Sequence, residues 1–384
     1  MFNVKRHIGR EIFRISKDFT LILSLLLAPI FYAFFYGSIY KNKVEQNVKV
    51  VVVDQDHSEL SKTLIRMFDE SSYVDVERVT RDFSLAKRAF TEMEVQGIIY
   101  FEPNFEVNIK KMHGADLALI LNTSKFLPSN DIKEAVSKIV MTVGAGVRMA
   151  FFKQMGNNSD YSLTMAQPIL LADHSVFVDY TNYTDFLLPG LLLLILQQTF
   201  LIGLAESISK EFEKNTLLDW FRLSENNIIR SIFGKTFFYF ILYFAYAIFF
   251  LTIIFHAFGL TNIGGFVSLL ILFSVFFVVL MFLASFIASF LKKEIYALQF
   301  FAFTTYPFFL LSGYAWPIEA LNPLLKIFSY FIPTTHMIDA YIKIIYGGLS
   351  WVDCLPQLVN LLVLALFYGT LVYWRYGIFL RKVK

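Results

Sequence analysis

The sequence predicts a polytopic α-helical membrane protein with six transmembrane helices and an extracytoplasmic α/β domain inserted between the first two. Hydrophobic residues make up 56% of the 384 residues, whereas charged residues make up only 17%, which is below the roughly 25% of an average soluble domain. The charges cluster between long apolar runs. One long interval after the first run has instead the alternating pattern of a soluble domain, which predicts the insertion.

The first 40 residues predict an interface helix followed by a membrane span. Residues 1–18 carry five Lys or Arg side chains, interleaved with apolar ones at helical spacing. This pattern is typical of an amphipathic helix on the cytoplasmic face of a membrane, and its charges place the N-terminus inside. Residues 19–40 are long and apolar enough to form the first span, and no small-residue cleavage site follows them. We therefore expect a retained first helix.

Residues 41–179 predict the extracytoplasmic α/β domain. Strands are expected at residues 48–53, 74–79, 97–101 and 117–121, and helices at residues 58–68, 83–93 and 105–112. This alternation favours a mostly parallel or mixed sheet covered by helices. The domain lies outside because a single span separates it from a cytoplasmic N-terminus.

A longer helix is predicted at residues 131–153, opened by a capping box of Asp131 and Glu134. Three charges, Lys138, Arg148 and Lys153, interrupt it and leave too short an uncharged stretch to cross a bilayer. We therefore predict a soluble helix here. Residues 157–179 lead back to the membrane, with an edge strand at residues 168–172.

Five more apolar segments predict the remaining spans at residues 183–205, 229–258, 264–291, 295–315 and 354–373. Basic residues on the loops 206–228 and 292–293 and on the tail, residues 374–384, place both termini in the cytoplasm. Residues 316–352 contain three Pro and several charges, which predicts outer re-entrant helices in place of a span. Gln197 and Gln198 either line a substrate path or bond a neighbouring helix.

Motifs for catalysis and metal binding do not occur in the sequence. The single Cys354 excludes an intramolecular disulfide and a Cys-based metal cluster. Neither H-E-x-x-H nor G-x-S-x-G is present, so we expect no enzymatic activity. Asp54 and His57 lie in an acidic stretch after a predicted strand, but the N-terminus of the next helix explains carboxylates there more simply than a metal site does. The net charge of +3 gives no reason to expect nucleic acid as a partner.

The chain also carries no nucleotide-binding P-loop. Its only G-K-[ST] triplet is Gly234-Lys235-Thr236, and Ile229 stands where a P-loop needs Gly. We therefore expect no bound cofactor, with any ATP and Mg²⁺ held by a separate partner subunit.

Residues 206–228 mix charged and apolar side chains in the manner of a small amphipathic helix at a membrane face. The run KEFEKNTLLDWF, residues 210–221, with the later Gly234-Lys235, resembles the cytoplasmic coupling segment of ABC-2-type transporter permeases. Asn215 stands where that family usually has Gly, and Asn tolerates a left-handed backbone.

A second signature resembles the same family. Residues 311–348 contain Ser-Gly, then Pro-Ile-Glu, an intervening Pro, and Pro-Thr before a Gly. Tyr341 stands where the family often has Arg. The two signatures occur in the family's order, and agreement across levels strengthens the identification.

The resemblance implies a permease subunit of an ATP-driven exporter in the bacterial inner membrane, moving an amphipathic, drug-like or lipidic substrate outward. Its partners would be a cytoplasmic ABC ATPase, a second identical or paralogous permease, membrane lipids and a periplasmic adaptor. The implied ATPase-coupling residues are Glu206, Lys210, Glu211, Phe212, Glu213, Asn215, Thr216, Leu217, Leu218, Gly234 and Lys235. The implied outer-gate residues are Ser312, Gly313, Pro317, Glu319, Pro323, Pro333 and Thr334.

Two alternatives belong to other functional classes. A non-transporting sensor or scaffold would bind a ligand through its outer domain and would need a cytoplasmic signalling domain. An ion-driven secondary transporter would need paired ionisable groups within the membrane or an internal repeat. The sequence displays neither feature, so the exporter subunit is the preferred hypothesis.

Overall fold

The computed structural model describes residues 4–40, 47–166 and 183–383. The chain divides into two compact units. The sheet unit comprises residues 42–176, and the membrane unit comprises residues 1–41 and 177–384.

The sheet unit is built on four strands: β1 (Val48–Asp54), β2 (Val74–Thr80), β3 (Gly97–Phe101) and β4 (Leu117–Leu121). Their order is β2-β1-β3-β4. Both neighbours of β1 run parallel to it, whereas β4 runs antiparallel to β3. The predicted mixed sheet and its four strands are confirmed.

In the described part of this unit, residues 47–166, five helices accompany the sheet: α3 (Glu59–Asp69), α4 (Phe83–Thr91), α5 (Phe105–Lys110), α6 (Phe126–Gln154) and α7 (Ser159–Ala166). Successive side chains of a strand point to opposite faces, so the Val run of β1 supplies two cores. Val50 and Val52 join Phe68 and Ile132 on one face. Val51 and Val53 join a smaller cluster with Ala86 on the other. A run of β-branched residues therefore forms a strand that is buried on both sides.

The acidic stretch after β1 has a structural explanation. One oxygen of Asp54 accepts hydrogen bonds from the backbone N–H groups of Asp56 and His57, at 3.0 and 2.9 Å. The other accepts one from the Ser61 hydroxyl at 2.8 Å, and Ser58 caps α3. Across the described residues, no group of three or more His, Cys, Asp or Glu is placed to hold a metal ion.

The capping box predicted at Asp131 is wrong, because α6 begins five residues earlier, at Phe126. Pro128 lies in its first turn, where backbone N–H groups have no partner within the helix and Pro is tolerated. The helix is long and apolar enough to cross a membrane by length and composition alone. Its N-terminal half covers the sheet, however, with Ile132 and Val136 fully buried in the core. The strand predicted at residues 168–172 lies outside the described residues.

Ten helices are described in the membrane unit: α1 (Val4–Ser16), α2 (Phe19–Ile39), α8 (Tyr183–Glu213), α9 (Leu217–Arg222), α10 (Ile228–Ala257), α11 (Phe266–Ala288), α12 (Glu294–Leu311), α13 (Pro323–Ser329), α14 (Pro333–Ile345) and α15 (Leu355–Val383). Of these, α2, α8, α10, α11 and α15 are long and apolar enough to span a membrane. They fit a polytopic helical membrane protein. The predicted span at residues 295–315 corresponds to α12, which has only 18 residues and contains Pro307.

Two helices run further than predicted. The 31 residues of α8 continue to Glu213, eight residues past the expected end of the second span. Likewise, α15 continues to Val383 through most of the expected tail. A helix of 31 residues is about 46 Å long, more than the roughly 30 Å of hydrocarbon. The last turns of α8 can therefore extend beyond the hydrocarbon, where charged side chains are tolerated.

Candidate functional site

Three helices of the membrane unit meet at a buried group of charges, which we call the junction. It consists of Arg10, Glu11 and Arg14 on α1, Glu211 on α8, and Lys235 on α10. Glu11 is 1% exposed, and Glu211 and Lys235 are 0% exposed. An unpaired charge buried in this way would cost several kcal/mol, so the partners of each group determine whether the junction is stable.

Lys235 connects the two acidic residues of the junction. Its Nζ lies 2.7 Å from Oε1 of Glu11 and 3.1 Å from Oε1 of Glu211. Arg10 donates to both oxygens of Glu211, at 2.7 and 2.9 Å, and Arg14 is paired with the same carboxylate. A bidentate Arg–carboxylate pair has a fixed geometry as well as a favourable energy. The network therefore fixes α1 against α8 and α10.

Neutral donors complete the junction. Ser207 and Tyr239 donate their hydroxyl hydrogens to Oε2 of Glu11, at 3.0 and 3.2 Å. Thr216 donates its hydroxyl hydrogen to Oε2 of Glu211. All four carboxylate oxygens thus have partners, which is the condition under which buried ion pairs persist.

Gly234 allows the close approach that Lys235 needs. A Cβ on Gly234 would lie 2.7 Å from the His7 ring of α1, too close for a real contact. The same ring is hydrogen-bonded through Nε2 to the Ser224 hydroxyl at 2.8 Å. The indole of Trp220 on α9 lies 5.3 Å from Nζ of Lys235, which adds a cation–π contact. The two residues therefore have separate roles: Gly234 leaves space for the His7 ring, and Lys235 supplies the positive charge.

The electrostatics of α1 follow from this arrangement. Burial by itself would raise the pKa of Glu11, but Lys235, Arg14 and Arg10 outweigh it and hold the pKa below its usual value. Burial, together with Arg10, lowers the pKa of His7. At neutral pH Glu11 of the junction is therefore ionised, and His7 beside the junction is neutral.

The turn after α8 is made as predicted by Asn215, which has a φ of +54°. Beside it, the N–H of Thr216 donates to the carbonyl of Glu211 at 2.9 Å. Such a left-handed residue at a helix C-terminus is usually Gly, and Asn is the commonest substitute. The turn directs the chain from α8 into α9.

The predicted coupling residues separate by exposure. Glu213 and Asn215 are exposed, Phe212, Thr216 and Leu218 are half-buried, and Glu206, Lys210, Glu211, Leu217, Gly234 and Lys235 are buried. Other helices of the same chain enclose the carboxylates of Glu206 and Glu211, and their role as ATPase contacts stays a prediction. Lys210 is likewise paired within the chain, with Asp18 and with Glu294 at 2.7 Å.

A family model described as ABC-2 family transporter protein matches residues 19–374. The chain belongs to this family. The match extends from the first residue of α2 into α15 and includes both sequence signatures. No curated protein matches the chain. The protein is therefore a membrane component of an ABC-type transporter, and this family works in general with an ABC ATPase partner.

The junction of this ABC-2 protein includes residues that sequence reasoning missed. Arg10, Glu11 and Arg14 complete the signature residues Glu211 and Lys235, although they precede the matched region. Ile12, in the apolar stripe of α1, is 51% exposed. The buried stripe instead contains Glu11. A lone acid in a basic amphipathic helix was the signal that could have identified it.

The second signature packs against the first half of α8. Thr334, at the start of α14, donates its hydroxyl hydrogen to Oε1 of Gln197. Tyr314 and Tyr346 donate theirs to the backbone carbonyls of Phe186 and Asp185. Gln197 therefore bonds a neighbouring helix, which is one of the two roles expected for it. These contacts hold residues 311–348, which include the predicted gate residues, against α8.

The predicted gate residues also separate by exposure. Ser312, Pro333 and Thr334 are buried, Gly313 is half-buried, and Pro317, Glu319 and Pro323 are exposed. Gly313 has a φ of +87°, and a Cβ there would lie 2.8 Å from the Ile318 side chain, so only Gly fits this turn comfortably. Their role as a gate stays a prediction.

Proposed function

We propose that this chain is the permease subunit of an ATP-driven exporter and that α1, α9 and the adjoining ends of α8 and α10 form its coupling element. The observation that carries the proposal is the junction, in which Lys235 bonds carboxylates from two other helices. ATP and Mg²⁺ bind to the partner ATPase. The membrane is the bacterial inner membrane, both termini face the cytoplasm, and the sheet unit lies outside.

The junction supports coupling because its ion pairs join α1 to the ends of two spanning helices. Arg10 and Arg14 fix α1 to Glu211 at the end of α8, and Lys235 fixes the start of α10 to the same carboxylate. A force applied to α9 is transmitted through these pairs to α1 and to two spanning helices. An ATPase that moves α9 therefore moves the start of the transmembrane path.

The ATPase docks on the exposed face around α9. Asp219 and Arg222 form an exposed ion pair there at 3.3 Å. Leu223 and Ile229 are 38% and 67% exposed beside it. A mixed patch of exposed apolar and charged side chains is the composition expected of an interface that forms reversibly.

The proposal is tested by affinity purification of the tagged chain in mild detergent from its native host, followed by an ATPase assay. A P-loop ATPase should co-purify with the wild-type protein. Arg222→Glu should abolish co-purification, because it places two like charges on the docking face. Lys343→Glu is the matched control, since Lys343 forms the same kind of exposed helical ion pair, with Asp339 at 3.1 Å, but on α14.

Each outcome is informative because an exposed pair contributes only about 0–1 kcal/mol to stability. Both variants should therefore fold, which a single symmetric peak in size exclusion would verify. Loss of the ATPase from both variants, or from neither, contradicts docking at α9. Absence of any ATPase from the wild-type preparation contradicts the exporter itself.

The orientation of the membrane unit is tested separately by thiol labelling. Cys354 is 0% exposed and therefore cannot report its side of the membrane. Ser350 is exposed, so Ser350→Cys in a Cys354→Ser background should react with a membrane-impermeant maleimide in intact cells. Labelling that required permeabilised cells would reverse the proposed topology.

A further inference from the structure

A cavity of about 530 Å³ lies within the membrane unit between α2, α8 and α12. Ligand pockets for drug-sized molecules measure roughly 300–1,000 Å³, so its volume suits a small amphipathic molecule. Its walls are mainly aliphatic and aromatic, with Tyr32 and Tyr36 of α2 facing Leu191 and Ile202 of α8.

Two buried acceptors on α8 line this cavity without a hydrogen-bond partner. Among the described residues, Oε1 of Glu206 and Oε1 of Gln198 have none. Ser24 donates to the other oxygen of Glu206 at 3.1 Å, and Nε2 of Gln198 donates to the carbonyl of Phe301. A buried acceptor without a donor costs about 1–3 kcal/mol, more when it is charged. Both sites therefore require a donor.

The charges around Glu206 favour a cation. Lys210 lies one turn further along α8, but it is paired with Asp18 and with Glu294. The local group thus holds three carboxylates and one ammonium. Glu206 is 0% exposed, so its charge is poorly screened by solvent.

The spacing of the two acceptors sets the shape of the ligand. Gln198 and Glu206 are eight residues apart on one helix, a rise of about 12 Å, and Ile202 lies between them on the same side of the cavity. A suitable molecule has an apolar body that covers Ile202 and N–H donors toward each end.

We infer that this cavity binds a lipophilic organic cation, with one N–H group of the cation donating to Glu206 and a second to Gln198. This inference deepens the proposed exporter function by naming its substrate class. The cation enters between α2 and α12 and replaces the missing donors with its own N–H groups. An organic anion of similar size is rejected by the carboxylates around the site.

The test measures equilibrium binding of ethidium, a planar cation with two amino groups, to the purified full-length chain by fluorescence polarisation. The anionic dye anilinonaphthalene sulfonate serves as the comparison. Glu206→Gln should weaken ethidium binding about tenfold or more, since a charge-assisted hydrogen bond is lost, and should not weaken binding of the anion. The matched control is Asp339→Asn, which removes an exposed carboxylate on α14 that does not line the cavity and should change ethidium binding less than threefold.

A second readout does not depend on how Glu206→Gln folds. Ile202→Cys in a Cys354→Ser background places a thiol on the cavity wall, and ethidium should slow its reaction with a maleimide. Ethidium that fails to bind the wild-type chain, binds Glu206→Gln equally well, or leaves the thiol unprotected at saturation overturns the inference.

The binding test needs no ATPase, so it separates this inference from the exporter proposal. An ATPase that co-purifies with a chain unable to bind ethidium leaves the exporter intact and overturns this substrate class. Ethidium binding that depends on Glu206, with no ATPase partner, leaves the site intact and overturns the exporter.

Discussion

Replacing Lys235 by Met is the sharpest test of the junction. Met is unbranched and similar in length to Lys, so the substitution removes the charge and keeps most of the packing. Glu11 then loses its closest cation, at 2.7 Å, and retains Arg10 at 3.9 Å. Breaking one partner of a buried ion pair costs about 3–5 kcal/mol. We expect the lower end of that range, about 3 kcal/mol, because Ser207 and Tyr239 still donate to Glu11.

The assay is the apparent Tm of the detergent-solubilised protein, followed as the monodisperse peak that survives heating. For a unit of this size each kcal/mol shifts Tm by roughly 2–4 °C, so Lys235→Met should lower it by about 6 °C or more. Adding Glu11→Gln should recover most of that loss, since Gln keeps the acceptor but not the charge. Lys343→Met, at an exposed ion pair, should shift Tm by less than about 2 °C.

The double variant decides the interpretation. If Lys235→Met lowers Tm and Glu11→Gln does not restore any of it, Lys235 stabilises the protein through packing or through Trp220 and not through the charge of Glu11. If Lys235→Met leaves Tm unchanged, the buried network is not the feature that fixes α1, and the coupling mechanism built on it fails.

Three further predictions use the same purified protein. Gly234→Ala should destabilise it by about 1–3 kcal/mol, because the new Cβ meets His7, and His7→Ala should relieve the effect; if it does not, the clash lies elsewhere. Asn215→Gly should raise the free energy of unfolding by about 1 kcal/mol and Asn215→Ala should lower it by about as much, since φ is positive there. Tm should change in the same directions, and equal Tm values for the two variants would contradict a left-handed turn. The pKa values of His7 and Glu11 are lowered in the fold, so unfolded chains take up these protons at higher pH than folded ones do. Tm should therefore be highest above about pH 6.5, decline below it through His7, and decline further below about pH 4.3 through Glu11. In His7→Ala the first decline should be absent, and its persistence would assign it to another group.

The sequence predicted the elements of the sheet unit well because their patterns are local. β1 is a run of five Val interrupted by one Lys, and α3 follows a Ser that caps it. The start of α6 was missed for an equally local reason. Asp131 and Glu134 match a capping box, but the helix continues backward through Pro128, which a first turn accepts and a helix interior does not.

The candidate site was predicted only in part, because it is assembled from distant segments. Glu211 and Lys235 are 24 residues apart, and their shared signature placed them together. Glu11 lies 224 residues before Lys235, and no local pattern reports a contact over that distance. Exposure was missed for the same reason. From sequence alone, a run of charged residues predicts a solvent-exposed surface, because the distant opposite charges that bury it are not visible in the run itself.

The position of Glu206 on α8 relates binding to coupling. Glu206 lines the cavity, and Glu211 belongs to the junction five residues later, a rise of about 7.5 Å along the same helix. Lys210 lies between them and bonds Asp18 and Glu294, which stand at the starts of α2 and α12. The three helices that form the cavity are therefore held together at the end where α8 meets α1 and α10. We therefore expect a displacement of the junction to change the spacing of the cavity walls, because α8 belongs to both sites.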